Sequence, residues 1–226
     1  MRTELVFGQN GIAPITLELA DGSHVYLQGR IDRVDVLDGS GMIRVIDYKS
    51  GAKKLDPTMA YWGLQLQLLI YLAAALEEIP GAQPAGFFYC RIADPTVKTE
   101  SRIREEVEKQ IARRLALAGI SLSDVEILRA QGATHAAMVT KDGRASATYK
   151  GSMADKERME ELIGFARHKA AQLAQEAYDG MIDDYPAELA PFSACQTCRY
   201  AAVCGFDPAV KPRHRLSKKT LDDLRG

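Results

Sequence analysis

The sequence predicts an α/β domain, a central sheet flanked by helices, followed by a cysteine-containing C-terminal tail. Three observations carry this expectation. Residues 25–49 alternate like a hairpin, a long apolar segment leads into a second apolar strand, and three cysteines crowd into Cys195-x-x-Cys198-x5-Cys204. At 226 residues, 46% hydrophobic and 26% charged, the chain can hold one sizeable domain with a small appendage. No run of 18 apolar residues occurs and the start lacks a signal-peptide pattern, so a cytoplasmic location is expected. A net charge of -1 does not advertise a nucleic-acid binder. Contact with a polyanion would need a local basic surface. Lys211, Arg213, His214, Arg215, Lys218 and Lys219 form one such cluster, and a solvated tail explains them as well.

Residues 3–49 read as a meander of strands, with Ile15, Leu17 and Leu19 alternating before an Asp21-Gly22 turn. Val25–Val36 and Met42–Lys49 follow as antiparallel strands joined through Asp38-Gly39-Ser40-Gly41. Asp56-Pro57-Thr58 opens a helix that runs to about Glu78 and ends at Pro80-Gly81. This helix is apolar almost all round (Leu64, Leu66, Leu68, Leu69, Ile70, Leu72), so it is expected to be buried. Residues 85–92 form a buried strand, and Cys90 within it is expected to be a buried, inert thiol. Thr99 to Ala118 is a charged amphipathic helix, residues 130–151 a loop with a short hairpin, and Ala154 to Tyr178 a long helix stopped near Gly180. No G-x-x-x-x-G-K-[ST] loop is present, which argues against an ATPase in this chain.

The hairpin carries the chemistry. A turn centred between residues 39 and 40 sets Asp32 directly opposite Asp47. Period-two alternation then places Val34, Val36, Ile43, Val45, Asp32, Asp47 and Lys49 on one face. Two carboxylates roughly 5 Å apart at the end of an apolar face repel each other unless something positive sits between them. A divalent cation with hard oxygen ligands suits the place, with Lys49 beside it. On the following helix Gln67 and Tyr71 are four residues apart and share a face, and in a buried helix their polar atoms need partners. A surface hairpin with solvated charges is the plainer alternative, although a one-residue slip in register would undo the geometry in either case.

The three clustered cysteines, in a chain without secretory features, argue for metal or cluster ligation rather than disulfides. Three thiolates leave one position open, since iron–sulfur clusters usually take four. Half of a zinc ribbon is a rival, but no second Cys/His pair has ribbon spacing, and His214 is a remote fourth ligand.

Gly29-Arg30-Ile31-Asp32, Val45-Ile46-Asp47-Tyr48-Lys49-Ser50-Gly51 and the segment from Gly63 through Gln67 to Tyr71 together resemble the PD-(D/E)XK nuclease superfamily. Within it they are similar to the C-terminal nuclease domains of AddB-type subunits of bacterial helicase-nucleases, from about Glu4 to Asp207. The resemblance implies a restriction-endonuclease-like core with a mixed central sheet over residues 1–190, lacking its first helix. Residues 191–226 then form a cysteine-rich iron–sulfur staple and basic tail. It implies Asp32, Asp47 and Tyr48 as ligands of Mg²⁺ or Mn²⁺, Lys49 as the catalytic lysine, and Gln67 and Tyr71 as the Gln-x-x-x-Tyr pair of the site. Cys195, Cys198 and Cys204 would join an upstream cysteine to hold a [4Fe–4S] cluster in a full-length protein. In the present chain that cluster is expected to be absent or incomplete, and the tail from Pro191 to Asp207 poorly anchored. Pro191, Phe192, Tyr200 and Phe206 are the residues expected to pack it on the core. The implied activity is exonucleolytic cleavage of DNA, expected to be single-stranded, beside a helicase-nuclease partner subunit of AddA type, in break repair and recombination. A stand-alone iron–sulfur exonuclease of the CRISPR-adaptation type and a catalytically silent DNA-binding scaffold remain the alternatives.

Overall fold

The structure, a computed structural model, describes residues 1–9, 12–37, 40–93 and 104–225. Its elements run β1 (Arg2–Phe7), β2 (Ile15–Glu18), β3 (His24–Leu27), β4 (Gly29–Val36) and β5 (Met42–Lys49). Then come α1 (Pro57–Tyr61), α2 (Gln67–Glu78), β6 (Gln83–Arg91), α3 (Arg104–Arg114), β7 (Ala118–Leu122), α4 (Val125–Ala130) and α5 (Ala133–Ala136). The chain closes with β8 (Met153–Ala154), α6 (Lys156–Tyr178), β9 (Ala187–Leu189), β10 (Phe192–Ser193), α7 (Ala201–Cys204) and β11 (His214–Arg215).

Six strands form the central sheet in the order β1-β4-β5-β6-β7-β8. It is mixed: β5/β6 and β7/β8 are parallel, and the other pairs are antiparallel. A parallel pair needs a crossover, and α2 supplies it between β5 and β6. Helices α2 and α6 cover one face, where Leu68, Leu69 and Leu72 of α2 meet Ile43, Val45 and Phe87 and the Met159, Leu162 and Phe165 side of α6. The other face carries α4 and α5 over a smaller apolar cluster built on Leu37, Met42 and Ala85.

The hairpin register is the one the turn position requires: Arg33 faces Ile46, Val34 faces Val45 and Val36 faces Ile43. Asp38 and Gly39 of the turn lie outside the described residues. Val34, Ile43 and Val45 are fully buried, while Val36, at the turn end of the hairpin, is 42% exposed. The expected continuous strand over 25–36 is two strands. β3 pairs with β2 in a separate two-stranded sheet, and only β4 joins the main one.

The single helix expected over 56–78 is also two. Asp56 caps α1, accepting from the Thr58 and Met59 amides at 2.8 and 3.3 Å. The helix then stops at Gly63, whose φ of +80° excludes most side chains. Gly63 N–H bonds Ala60 O and Leu64 N–H bonds Met59 O, the paired bonds of a Schellman motif. A β-carbon on Gly63 would meet Leu173 Cδ1 of α6 at 2.6 Å. Leu64 therefore sits in the break, 44% exposed, instead of in the buried helix. Replacing Asp56 by Ala should cost about 1 kcal/mol of stability, measurable as a lower urea midpoint with unchanged slope.

The charged helix ends earlier than expected. It spans Arg104–Arg114 with no buried residue, its expected start lies outside the described residues, and Ala118 already belongs to β7. In the 130–151 region a single antiparallel bridge, Val139 to Ala145, stands where the short hairpin was expected. The long helix is α6, capped by Asp155 and ended before Gly180 at φ +75°.

His135 of α5 is 2% exposed and packs edge-on against Phe88, with ring centroids 4.9 Å apart. Its Nε2 has no hydrogen-bond partner among the described residues. Burial, aided by the Arg44 charge, pushes its pKa down to about 4. The unfolded chain takes up this proton below its ordinary value near 6.5, so the stabilisation is complete above that pH. It is then lost as pH falls toward 4. That loss should reach about 2–3 kcal/mol, and a His135→Leu variant should lack this part of the acid-unfolding profile.

Candidate active site

Parallel strands β5 and β6 end side by side, and the polar side chains gather at those carboxyl ends, where open α/β sheets bind ligands. Asp47 pairs with Tyr89 and Lys49 with Arg91 across the two strands. Extending the hairpin register one step beyond Arg33–Ile46 brings Asp32 across from Asp47. There the Asp32 carboxylate accepts the Tyr48 amide at 2.8 Å. Asp47 is 1% exposed, and its Oδ2 lies 2.5 Å from Lys49 Nζ without forming a directed hydrogen bond.

Lys49 Nζ also reaches Gln67 Oε1 at 3.4 Å, and Gln67 Nε2 donates to the Tyr71 hydroxyl at 2.8 Å. Asp47, Lys49, Gln67 and Tyr71 thus form one connected chain from the sheet to the first turn of α2. The break at Gly63 starts α2 at the position that turns Gln67 toward Lys49. The Tyr71 ring is edge-on to Phe7 of β1 at 6.1 Å. Tyr48 points the other way: its hydroxyl accepts from Arg33 at 3.3 Å on the opposite face, beside Asp35. Only main-chain atoms of Tyr48 can serve the Asp32/Asp47 side.

Asp35 is a structural counterpart on that far face. Arg33 and Arg44 hold its carboxylate at 2.7 and 3.0 Å. Burial raises its pKa, but the two guanidinium hydrogen bonds outweigh burial and leave it below the ordinary carboxylate range.

Gln65 is the site residue that motif reading missed. It is 7% exposed, accepts the Asp56 amide at 2.9 Å, and donates to Lys54 O at 2.9 Å and the Tyr89 hydroxyl at 3.1 Å. It therefore ties the loop after β5 to the residue beside Asp47. Tyr89 stays a neutral phenol, since burial first, and the Asp47 charge after it, raise its pKa against the Gln65 hydrogen bond. A polar residue placed between Leu64 and Leu66 was the available signal.

The donor set suits a hard divalent cation. Asp47 presents a buried carboxylate oxygen with no hydrogen bond, Asp32 is fixed next to it, and Mg²⁺ needs only one or two carboxylates, keeping waters for its other positions. Among the described residues no group of three or more His, Cys, Asp or Glu gathers to hold a metal. The three tail cysteines are accordingly not drawn into one ligand set. All are free thiols, Cys195 half-buried and Cys198 and Cys204 exposed. As placed they do not fit a four-ligand cluster. Cys90 is half-buried, not enclosed as expected.

The two ends of the tail are joined to each other in a sheet separate from the central one. β10 pairs with β9, and β9 pairs with β11, so a three-stranded sheet joins residues 187–193 to 214–215. Tyr200, expected on the core, is 71% exposed. The basic cluster is largely spent on internal partners: Lys211 on Asp184, Arg213 and Arg215 on Glu188, and Lys219 over the Tyr61 ring at 4.4 Å. His214 stacks on Tyr185. No helix among the described residues is long and apolar enough to cross a membrane.

A mixed sheet with two aspartates and a lysine at the end of its hairpin, backed by a glutamine-bearing helix, defines a nuclease-type core. Residues 3–205 match the PD-(D/E)XK nuclease superfamily, and the chain belongs to it. Among curated proteins it is similar to an ATP-dependent helicase/deoxyribonuclease subunit of Alkaliphilus oremlandii, 35% identical over all of this chain and 21% of that protein. The proteins of the same name from Caldanaerobacter subterraneus subsp. tengcongensis and Thermoanaerobacter sp. are 39% and 40% identical, over 92% and 90% of the chain and 19% of each relative. The chain thus spans about a fifth of the length of these relatives.

Proposed function

We propose that the chain is the Mg²⁺-dependent DNA exonuclease domain of a cytoplasmic, AddB-type helicase-nuclease subunit. It would trim a strand unwound by an AddA-type partner during double-strand break repair and recombination. The observation that carries this reading is the buried Asp47 carboxylate paired with Lys49 and set across from Asp32. A solvated surface hairpin has no physical need to bury such a group.

In this reading Asp32, Asp47 and the main chain of Tyr48 hold the cation, which supplies an activated water and polarises the scissile phosphate when bound. Lys49 offers its ammonium to charge developing on the phosphate oxygens. Gln67 fixes the Lys49 side chain, and Tyr71 fixes Gln67, so the ammonium is oriented before substrate arrives. Residues 191–226 form the tail unit of the domain. By the family resemblance, Cys195, Cys198 and Cys204 would supply three ligands of an iron–sulfur cluster in a protein of the relatives' length, joined there by a fourth from outside this chain.

The test is incubation of the chain with end-labelled single-stranded DNA in Mg²⁺ and in EDTA. Progressive shortening only in Mg²⁺ is expected. DNA that is bound but intact in both Mg²⁺ and Mn²⁺ would replace this reading by the silent DNA-binding scaffold.

A further inference from the structure

We propose that a cavity next to the candidate site, and distinct from it, is a subsite for a phosphate group of the DNA strand; the proposal rests on the nuclease reading above. The cavity has a volume of about 280 Å³ and is lined by Lys53, Tyr89, Arg91, Arg113 and Arg114, with glycine and alanine completing the wall. Among the described residues its charged lining contains no carboxylate.

Cationic groups converging on one space repel one another, and an anion relieves that repulsion. Arg91 adds a specific signal, because its Nε is buried with no hydrogen-bond partner among the described residues. A guanidinium with an unspent N–H suits the paired oxygens of a phosphate. The small residues of the remaining wall leave room for such a group.

Placement connects this cavity to the chemistry. Arg91 is the register partner of Lys49 at the ends of the parallel strands. Lys49 and Lys53 both lie over the Tyr89 ring, 6.0 and 5.2 Å from its centroid. This tyrosine thus borders both the Asp47 site and the basic cavity. A strand with one phosphate at Lys49 would carry another along its backbone toward Lys53 and Arg91. With a net charge of -1 the chain has no general positive field, and most of its C-terminal basic cluster is engaged internally. Affinity for the strand then depends on local cations of this kind.

The phosphate could be an internal diester or a terminal monoester, and the probes separate the two. Fluorescent oligo-dT carrying a 5′-phosphate, a 3′-phosphate or hydroxyl ends is titrated in EDTA, where cleavage does not proceed, across a range of salt. Arg91→Gln and, on the exposed helix α3, Arg113→Gln should each weaken binding about fivefold. Each should also flatten the slope of log K against log salt by about 0.7, the loss of one phosphate contact on a single strand. In Mg²⁺ the same variants should raise KM with kcat near that of the parent. Equal losses on all three probes identify a diester, and losses confined to a phosphorylated end identify a monoester. Parent-like affinity and slope in both variants, with the parent still cleaving, would overturn the subsite alone. A parent that neither binds nor cleaves would remove the nuclease reading and the subsite with it. Arg113→Gln keeps the test sound if Arg91→Gln fails to fold.

Discussion

Alanine at Asp47 should abolish Mg²⁺-dependent cleavage, by a factor of at least about 10³, in a chain that remains folded. Asp47 is the most deeply buried carboxylate of the site and contacts Lys49. Removing it withdraws a cation ligand and the anchor of Lys49 together. Lys49 retains Gln67 as a partner and its side chain is 28% exposed, so its ammonium can turn to water. The melting temperature without metal should therefore hold or rise, as repulsion across the Asp32–Asp47 pair is relieved. The parent should melt higher on addition of Mg²⁺, since an ion that binds only the folded state stabilises it. Asp47→Ala should show no such rise. If Asp47→Ala digests DNA like the parent, the assignment of the site is wrong.

Gly119→Ala should produce the largest loss of stability. Gly119 faces Phe88 across the β6–β7 pair. A β-carbon there would overlap the Phe87 carbonyl oxygen and stand 2.8 Å from Phe88 Cα. Backbone cannot swing aside as a long side chain can, and Phe87 and Phe88 are pinned by burial on both faces of the sheet. The expected cost is about 4 kcal/mol or more, which for a chain of this size lowers the melting temperature by roughly 8–16 °C. A loss below about 1 kcal/mol would mean that β7 can shift outward without penalty.

The parts of the fold legible in the sequence were those set by local rules. The hairpin register followed from turn position and alternation, and β6 from its unbroken apolar run. The end of α6 followed from Gly180. Where tertiary contacts decide, reading failed. α1 ends at Trp62-Gly63, where Leu173, over a hundred residues away, leaves no room for a β-carbon, and apolar content alone could not reveal that. β7 is short, and its Gly119 is explained only by the closeness of β6. The direction of the Tyr48 side chain was implicit in period-two alternation, which sends it away from Asp47. Gln65 and Arg91 carry no motif, and their importance lies in the buried groups around them.

The break at Gly63 also divides the molecule mechanically. Helix α1 serves the C-terminal segment: Thr58 exchanges hydrogen bonds with Lys219, Trp62 donates to Ser217 O, and Tyr61 lies under the Lys219 ammonium. Helix α2 serves the sheet and holds Gln67 against Lys49. A continuous helix would have transmitted any loosening of the tail directly into the first turn of α2. With a glycine joint between them, the tail and α1 can open as one cooperative unit, exchanging their amide protons early, while α2 keeps its protection. Lys49 can then stay aligned through excursions of the cysteine-bearing segment.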